Sequence, residues 1–175
     1  MLNGALAAEA TGGVWTGRAP DFSSLSTDTR EIKPGQWFLA LKGQRFDAHD
    51  HVEQAVALGA SALIVATGVQ LSCPQLVVPD TRVALGQLAA AHRARWSGFS
   101  AAVTGSCGKT TTKRLLAAGF RCRGVGVESA KSFNNDIGVP RTLLELRRDH
   151  GWLAAEVGMS APGEIAPLAR MVAPD

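Results

Sequence analysis

The stretch Thr104–Thr110, TGSCGKT, constrains this chain more than any other. An apolar run, Phe99–Thr104 (FSAAVT), leads into it, and a helical pattern over Thr110–Ala118 follows. Strand, Gly-rich turn and helix in that order form the frame of a phosphate-binding loop. Gly105 and Gly108 let the backbone curl so that successive N–H groups point inward. The helix start adds unpaired N–H groups and a positive dipole end. Lys109 supplies a mobile charge for the outer phosphates, and Thr110 a hydroxyl within reach of Mg²⁺. The strict pattern has a glycine five residues before Gly108, where this chain has Val103, so the loop is a shortened variant. The bland alternative is a glycine turn carrying a surface lysine and threonine.

Charge supports the first reading. Of 18 basic and 15 acidic residues, 1–100 carry 8 of each, and 101–175 carry 10 basic and 7 acidic. The excess of +3 therefore lies with the loop. That balance suits a small anionic ligand, and no Lys/Arg run interleaved with aromatics argues for nucleic acid. Cys73, Cys107 and Cys122 form no CxxC pair, and the histidines have no zinc spacing. An odd, low cysteine count fits a reducing compartment. The N-terminus has no basic leader, and no stretch approaches 18 uninterrupted apolar residues, so neither a signal peptide nor a membrane span is expected. Cytoplasm is the default expectation.

Apolar runs predict strands at 36–41, 61–66, 76–78, 99–104, 124–127 and 153–157, with helices over 2–10, 51–58, 81–95, 110–118, 139–146 and 163–171. Residues up to Ser24 after the first helix read as turn-rich. In the helix over 81–95, positions 83, 85, 88 and 89 make the apolar stripe, and Arg93 and Arg95 suit its C-terminal dipole. Pro140 falls in the first turn of its helix, where its missing N–H is harmless. The alternation argues for parallel βαβ units in an α/β fold of two parts, joined at Trp96–Ser100.

Several further residues are candidates for chemistry. Glu156 ends an apolar strand, where a doubly wound sheet places its ligands, and a carboxylate beside a phosphate loop can hold Mg²⁺. A surface glutamate at a strand edge is the alternative. Asn134 and Asn135 either bond a polar ligand or cap the turn before Gly138. Arg30 either takes a phosphate bidentately or pairs with Asp28 or Glu31. Cys107 is either reactive or a serine-sized filler. Trp15, Trp37 and Trp152 read as packing residues.

The chain resembles the Mur ligase family, the cytoplasmic amino-acid-adding enzymes of peptidoglycan precursor synthesis. The matching pieces are STDTR at 26–30, KPGQWFLALKGQRFDAHDH at 33–51, ALGASALIV at 57–65, DTRVALGQLA at 80–89, TGSCGKT at 104–110, FNNDIGVPRTLL at 133–144 and EVGMSAPGEI at 156–165. They run in family order over nearly the whole chain. The resemblance implies an N-terminal UDP-substrate-binding domain over 1–96 and the first part of a central ATP-binding P-loop domain, with a mainly parallel sheet, over 97–175. It places Ser26, Thr29, Arg30, Lys42, Gly43, Asp47 and His49 around the uridine diphosphate. Gly105, Ser106, Cys107, Gly108, Lys109, Thr110 and Thr111 match the ATP loop, Thr110 and Glu156 the magnesium ligands. Lys109, Asn134 and Asn135 take the catalytic positions. The implied activity joins D-alanyl-D-alanine to UDP-N-acetylmuramoyl-tripeptide through an acyl phosphate, with ATP and Mg²⁺. A sister ligase with another amino acid, or a non-catalytic nucleotide- or UDP-sugar-binding module, are the alternatives. A guanine nucleotide enzyme is disfavoured, since no NKxD-type element follows Thr110.

Two stretches depart from the family pattern. Lys131-Ser132 stand where many relatives have Gly-Asn, and Ser160-Ala161 where many have Asn-His. Ala161 can neither ligate a metal nor orient a phosphate. The family's carbamylated lysine and dipeptide-binding domain have no counterpart in the sequence, so the 175 residues are expected to be an N-terminal fragment that does not ligate alone.

Overall fold

The computed structural model describes residues 1–43, 46–130 and 133–175. The chain divides into two compact units, Leu2–Ala91 and His92–Asp175, with Met1 counted in the second. The first unit opens with helix α1, Gly4–Thr11, capped by the Asn3 side chain and closed by left-handed Gly12. There follow strand β1 (Val14–Thr16), β2 (Leu25–Ser26), β3 (Trp37–Leu39), helix α2 (Val52–Ala57), β4 (Ala62–Val65), β5 (Gln75–Val77) and helix α3 (Thr81–Arg93).

The five strands order β1-β5-β4-β3-β2. Pairs β2–β3, β3–β4 and β4–β5 are parallel, as the βαβ pattern predicts. The turn-rich reading of residues up to Ser24 overlooks β1, which pairs antiparallel with β5 and makes the sheet mixed. VWT at an edge, with Val14 exposed, carries no apolar run to announce it. Phe38, Leu63 and Val65 pack with Val52 and Ala55 of α2 on one face, while Leu39 and Ile64, one residue out of phase, are equally buried on the other. Parallel strands need both faces covered in this way. Asp80 caps α3, its Oδ1 accepting from the amides of Arg82 (2.7 Å) and Val83 (3.0 Å). The buried stripe of α3 is Ala84, Leu85, Leu88 and Ala89, and Val83 is exposed. Periodicity fixes the spacing of a stripe but leaves its edge residue open by one helical step.

The second unit contains β6 (Phe99–Val103), α4 (Lys109–Phe120), β7 (Gly126–Glu128), α5 (Gly138–Leu144), β8 (Trp152–Glu156) and α6 (Ile165–Val172). Its sheet is parallel, ordered β6-β8-β7. Helix α4 lies across all three strands, with Ala117 against Trp152 and Ala154. Helices α5 and α6 pack on β8 and β6. The boundary falls ahead of Trp96 because His92 and Arg93, at the end of α3, are built into this unit. The ring of His92 donates through Nε2 to Leu146 O (2.8 Å). Arg93 is buried and donates to Val172 O and Ala173 O, each at 2.8 Å, and to Trp96 O. Its guanidinium thus satisfies carbonyls at the end of α6, a role beyond the dipole partner expected of it.

Candidate functional site

The second unit's site forms at the carboxyl ends of its strands. Val103, the last residue of β6, pairs with Glu156, the last of β8. The chain leaves β6 into the exposed loop 104–108 and enters α4 at Lys109. Gly108 has φ 74°, a left-handed conformation that a side chain would strain. Among the described residues no side chain caps this 12-residue helix, which leaves its first N–H groups available to an anion. The Lys109 ammonium folds back to donate to Gly105 O at 2.8 Å. Ser106 and Cys107 lie exposed in the loop, and Thr111 is exposed on α4.

Glu156 is no edge-strand surface residue. It belongs to the central strand and is 1% exposed, on the face that carries α4. Its Oε2 accepts from the Thr110 hydroxyl at 2.8 Å, and its Oε1 from Asn134 Nδ2 at 2.9 Å. The asparagine pair divides its work. Asn134 holds the carboxylate, whereas Asn135 Oδ1 accepts from the amides of Ile137 and Gly138 (2.9 Å to the latter) and starts α5. Asn134 is fixed from below, since Gly158 N donates to its carbonyl at 2.7 Å.

Thr110 and Glu156 present only oxygen, which suits a hard cation such as Mg²⁺. Among the described residues no three His, Cys, Asp or Glu side chains cluster as a metal cage. A pair of protein oxygens fits Mg²⁺, which keeps waters and takes its remaining ligands from substrate phosphates. The departure at Lys131-Ser132 lies outside the described residues. At the other departure, the amides of Ser160 and Ala161 both donate to Glu164 Oε2, at 2.7 and 3.1 Å, and Ala161 is exposed.

The first unit holds a separate pocket of about 450 Å³. Thr27, Asp28, Thr29 and Arg30 line it together with Phe46, His51 and Gln54. The Arg30 guanidinium grips Asp28 with contacts of 2.6–3.1 Å, yet its side chain is 86% exposed. The hydrogen bonds it donates to Asp28 raise its pKa further, so it stays cationic. Thr29 Oγ1 donates to Gln54 Oε1 at 3.3 Å. Phe46 and His51 stack with centroids 5.2 Å apart, and Phe46 is exposed. The polar and aromatic lining residues Phe46, His51 and Gln54 were not singled out from the sequence. Phe46 and His51 lie within the motif at 33–51, and Gln54 within the amphipathic stretch 51–58.

The other residues expected there do not line this pocket. Ser26 is buried and donates to Asp28 O, shaping the turn before Arg30. Lys42 pairs with Asp47 at 3.4 Å, and Gly43 N donates to Phe46 O at 2.8 Å. Asp47 Oδ1 accepts from the His49 amide (3.0 Å) and from its Nδ1 (2.6 Å). The backbone bond first, then the ring, lowers the Asp47 pKa to about 2. Nε2 of His49 accepts from Ala66 N at 2.9 Å, which fixes the tautomer with the proton on Nδ1. These residues tie the loop after β3 to the end of β4. Gln44 and Arg45, inside the same motif, lie outside the described residues.

Strand-end loop, helix and buried carboxylate on one parallel sheet, with a five-stranded mixed-sheet unit before it in sequence, make this an α/β fold shared with solved ligases. Residues 1–175 superpose with TM-score 0.89 on a crystal structure of MurF from Acinetobacter baumannii, at 40% identity, over 97% of this chain and 38% of that one. A MurF ligase from Thermotoga maritima in complex with ADP gives 0.75 at 31% identity, over 86% of this chain and 35% of that one. The Mur ligase family catalytic domain matches residues 21–93 and the Mur ligase middle domain residues 103–175. The chain belongs to the Mur ligase family, a family of ATP-dependent ligases. It is 45% identical to the UDP-N-acetylmuramoyl-tripeptide–D-alanyl-D-alanine ligase of Escherichia coli, over 87% of this chain and 34% of that protein. The Haemophilus influenzae ligase of the same name is 42% identical, over 86% and 34%. The chain spans about a third of the length of these relatives.

Proposed function

We propose that the protein of which these residues are part joins D-alanyl-D-alanine to UDP-N-acetylmuramoyl-tripeptide with ATP, in the cytoplasm, during peptidoglycan precursor synthesis. The observation that carries this reading is the buried Glu156 carboxylate, held by Thr110 and Asn134 beside the loop 104–108. The names of the similar ligases supply the substrates.

Binding would proceed in two places. The pocket around Arg30 takes the UDP end: an exposed guanidinium, already charged, meets a diphosphate, and the Phe46–His51 stack offers an apolar face to a base. The loop amides and the start of α4 receive the ATP phosphates. Lys109, freed from Gly105 O, turns its ammonium onto the transferring phosphoryl group. Thr110 and Glu156 would hold Mg²⁺, which when bound offsets phosphate charge and aligns the phosphoryl group. The substrate carboxylate oxygen bonds to the γ-phosphorus as ADP leaves. The dipeptide amine then attacks the acyl carbon, loses a proton, and phosphate departs. No side-chain nucleophile enters this scheme.

No helix among the described residues is long and apolar enough to cross a membrane. Calorimetric titration with UDP-N-acetylmuramoyl-tripeptide and, separately, with Mg·ATP tests the reading. Binding of each, with UDP alone competing against the first, is expected. Failure of both overturns it.

A further inference from the structure

Lys113 lies among the largest fully buried side chains of the protein, at 2% exposure, and the scheme above gives it no task. It sits on α4 one turn beyond Lys109 and Thr110. One turn further, Ala117 meets the sheet through an apolar contact with Trp152 and Ala154. An apolar residue would serve packing at 113 equally well, and burying an ammonium is costly in desolvation unless acceptors meet it. One acceptor is specific. Nζ donates to the carbonyl of Ser129, the residue that follows β7.

Ser129 is a junction. Its N–H donates to Ala154 O at 3.0 Å, and its Oγ accepts from the Glu156 amide at 3.0 Å. It is 1% exposed. The side-chain amide of Asn134 holds the Glu156 carboxylate at 2.9 Å. Two ties among the described residues therefore join α4 to β8 near the strand ends. One tie is Thr110 to the Glu156 side chain, the other Lys113 through Ser129 to the Glu156 backbone.

We propose that Lys113 is a positioning residue for the magnesium oxygens: through Ser129 it fixes the backbone of Glu156 against α4 and so sets the spacing of the Thr110 hydroxyl and the Glu156 carboxylate. The inference rests on the reading of those two groups as the magnesium ligands. Mg²⁺ accepts little deviation from octahedral geometry, so a loosened pair binds it less well even when the phosphate loop is intact.

The test is made in the full-length protein with Lys113→Met and Ser129→Ala, the latter keeping the carbonyl that accepts Lys113. ATP binding is measured calorimetrically in excess EDTA and across a Mg²⁺ titration, and exchange of the Glu156 amide is followed by mass spectrometry. Both variants are expected to bind ATP in EDTA as the parent does. Both should need at least about tenfold more Mg²⁺ to reach half of its effect, the lower end of what lost outer-shell bonds cost a metal site. The Glu156 amide should exchange faster in both. If Lys113→Met fails to fold, Ser129→Ala decides alone. A parental Mg²⁺ midpoint in the folded variants overturns the inference while leaving the site intact. A parent protein whose ATP binding ignores Mg²⁺ overturns the reading of Thr110 and Glu156 themselves, and this inference with it.

Discussion

Replacing Glu156 by glutamine separates a binding role from a structural one. The carboxylate is 1% exposed and accepts two side-chain hydrogen bonds, from Thr110 at 2.8 Å and Asn134 at 2.9 Å. A glutamine keeps both contacts: its carbonyl accepts from Asn134 and its amide donates to the Thr110 hydroxyl. Bonds to an ionised group contribute about 1.5–3 kcal/mol each, and neutral ones about 0.5–1.5. The exchange therefore loses about 2–3 kcal/mol in hydrogen bonding. Against this stands the desolvation of a buried carboxylate, several kcal/mol, which the variant no longer bears. The expected net effect is between no change and about 2 kcal/mol of added stability. Mg²⁺-dependent ATP binding should be lost in the same variant. Thr110→Val moves stability the other way, costing about 1.5–3 kcal/mol, because it leaves a buried charged oxygen without its donor. Urea unfolding followed by tryptophan fluorescence reports on this unit, since Trp152 lies on the same strand as Glu156. Calorimetry with Mg·ATP supplies the other axis. A Glu156→Gln protein destabilised by more than about 2 kcal/mol that still binds Mg·ATP like the parent would refute the argument and make the glutamate a structural residue.

Three further outcomes are expected. Arg30→Ala removes an exposed guanidinium and should weaken binding of the UDP-sugar by at least about tenfold, with stability changed by less than about 0.5 kcal/mol, as paired titration and urea curves would show. Gly158→Ala would set a Cβ 2.8 Å from Asn134 Cγ; the asparagine must leave Glu156, costing about 1–3 kcal/mol in urea unfolding and weakening Mg·ATP binding. Asp47 titrates at about 2 instead of 3.8, so its contribution to stability is full above about pH 4 and is lost as pH falls toward 2. Acid unfolding curves of the parent and Asp47→Asn should therefore converge as that window is crossed, and parallel curves throughout would exclude the contribution.

What the sequence by itself determined is local in origin. The loop Thr104–Thr110 shows its chemistry through glycine, lysine and threonine placed between an apolar run and a helical pattern, all within a few residues. Strands β3, β4 and β8 are readable because buried parallel strands are continuous apolar runs. Strand β1 escaped because an exposed edge of three residues is held by its partner β5, not by its own composition. The tertiary structure alone decided which side chains meet. The bond between Thr110 and Glu156 spans 46 residues of chain, and only the register of β6 on β8 brings them together. Asn134 and Asn135 have the same side chain and adjoining positions, yet one holds a carboxylate and the other holds the turn that leads into α5. Lys42, Asp47 and His49 look like ligand groups in sequence, and the fold shows them bonded to one another and to the end of β4, while Phe46, His51 and Gln54 line the pocket beside Arg30. Residue type sets what a group can do. The partner that uses it is fixed by chain packing between positions far apart in sequence, and no local pattern encodes that choice.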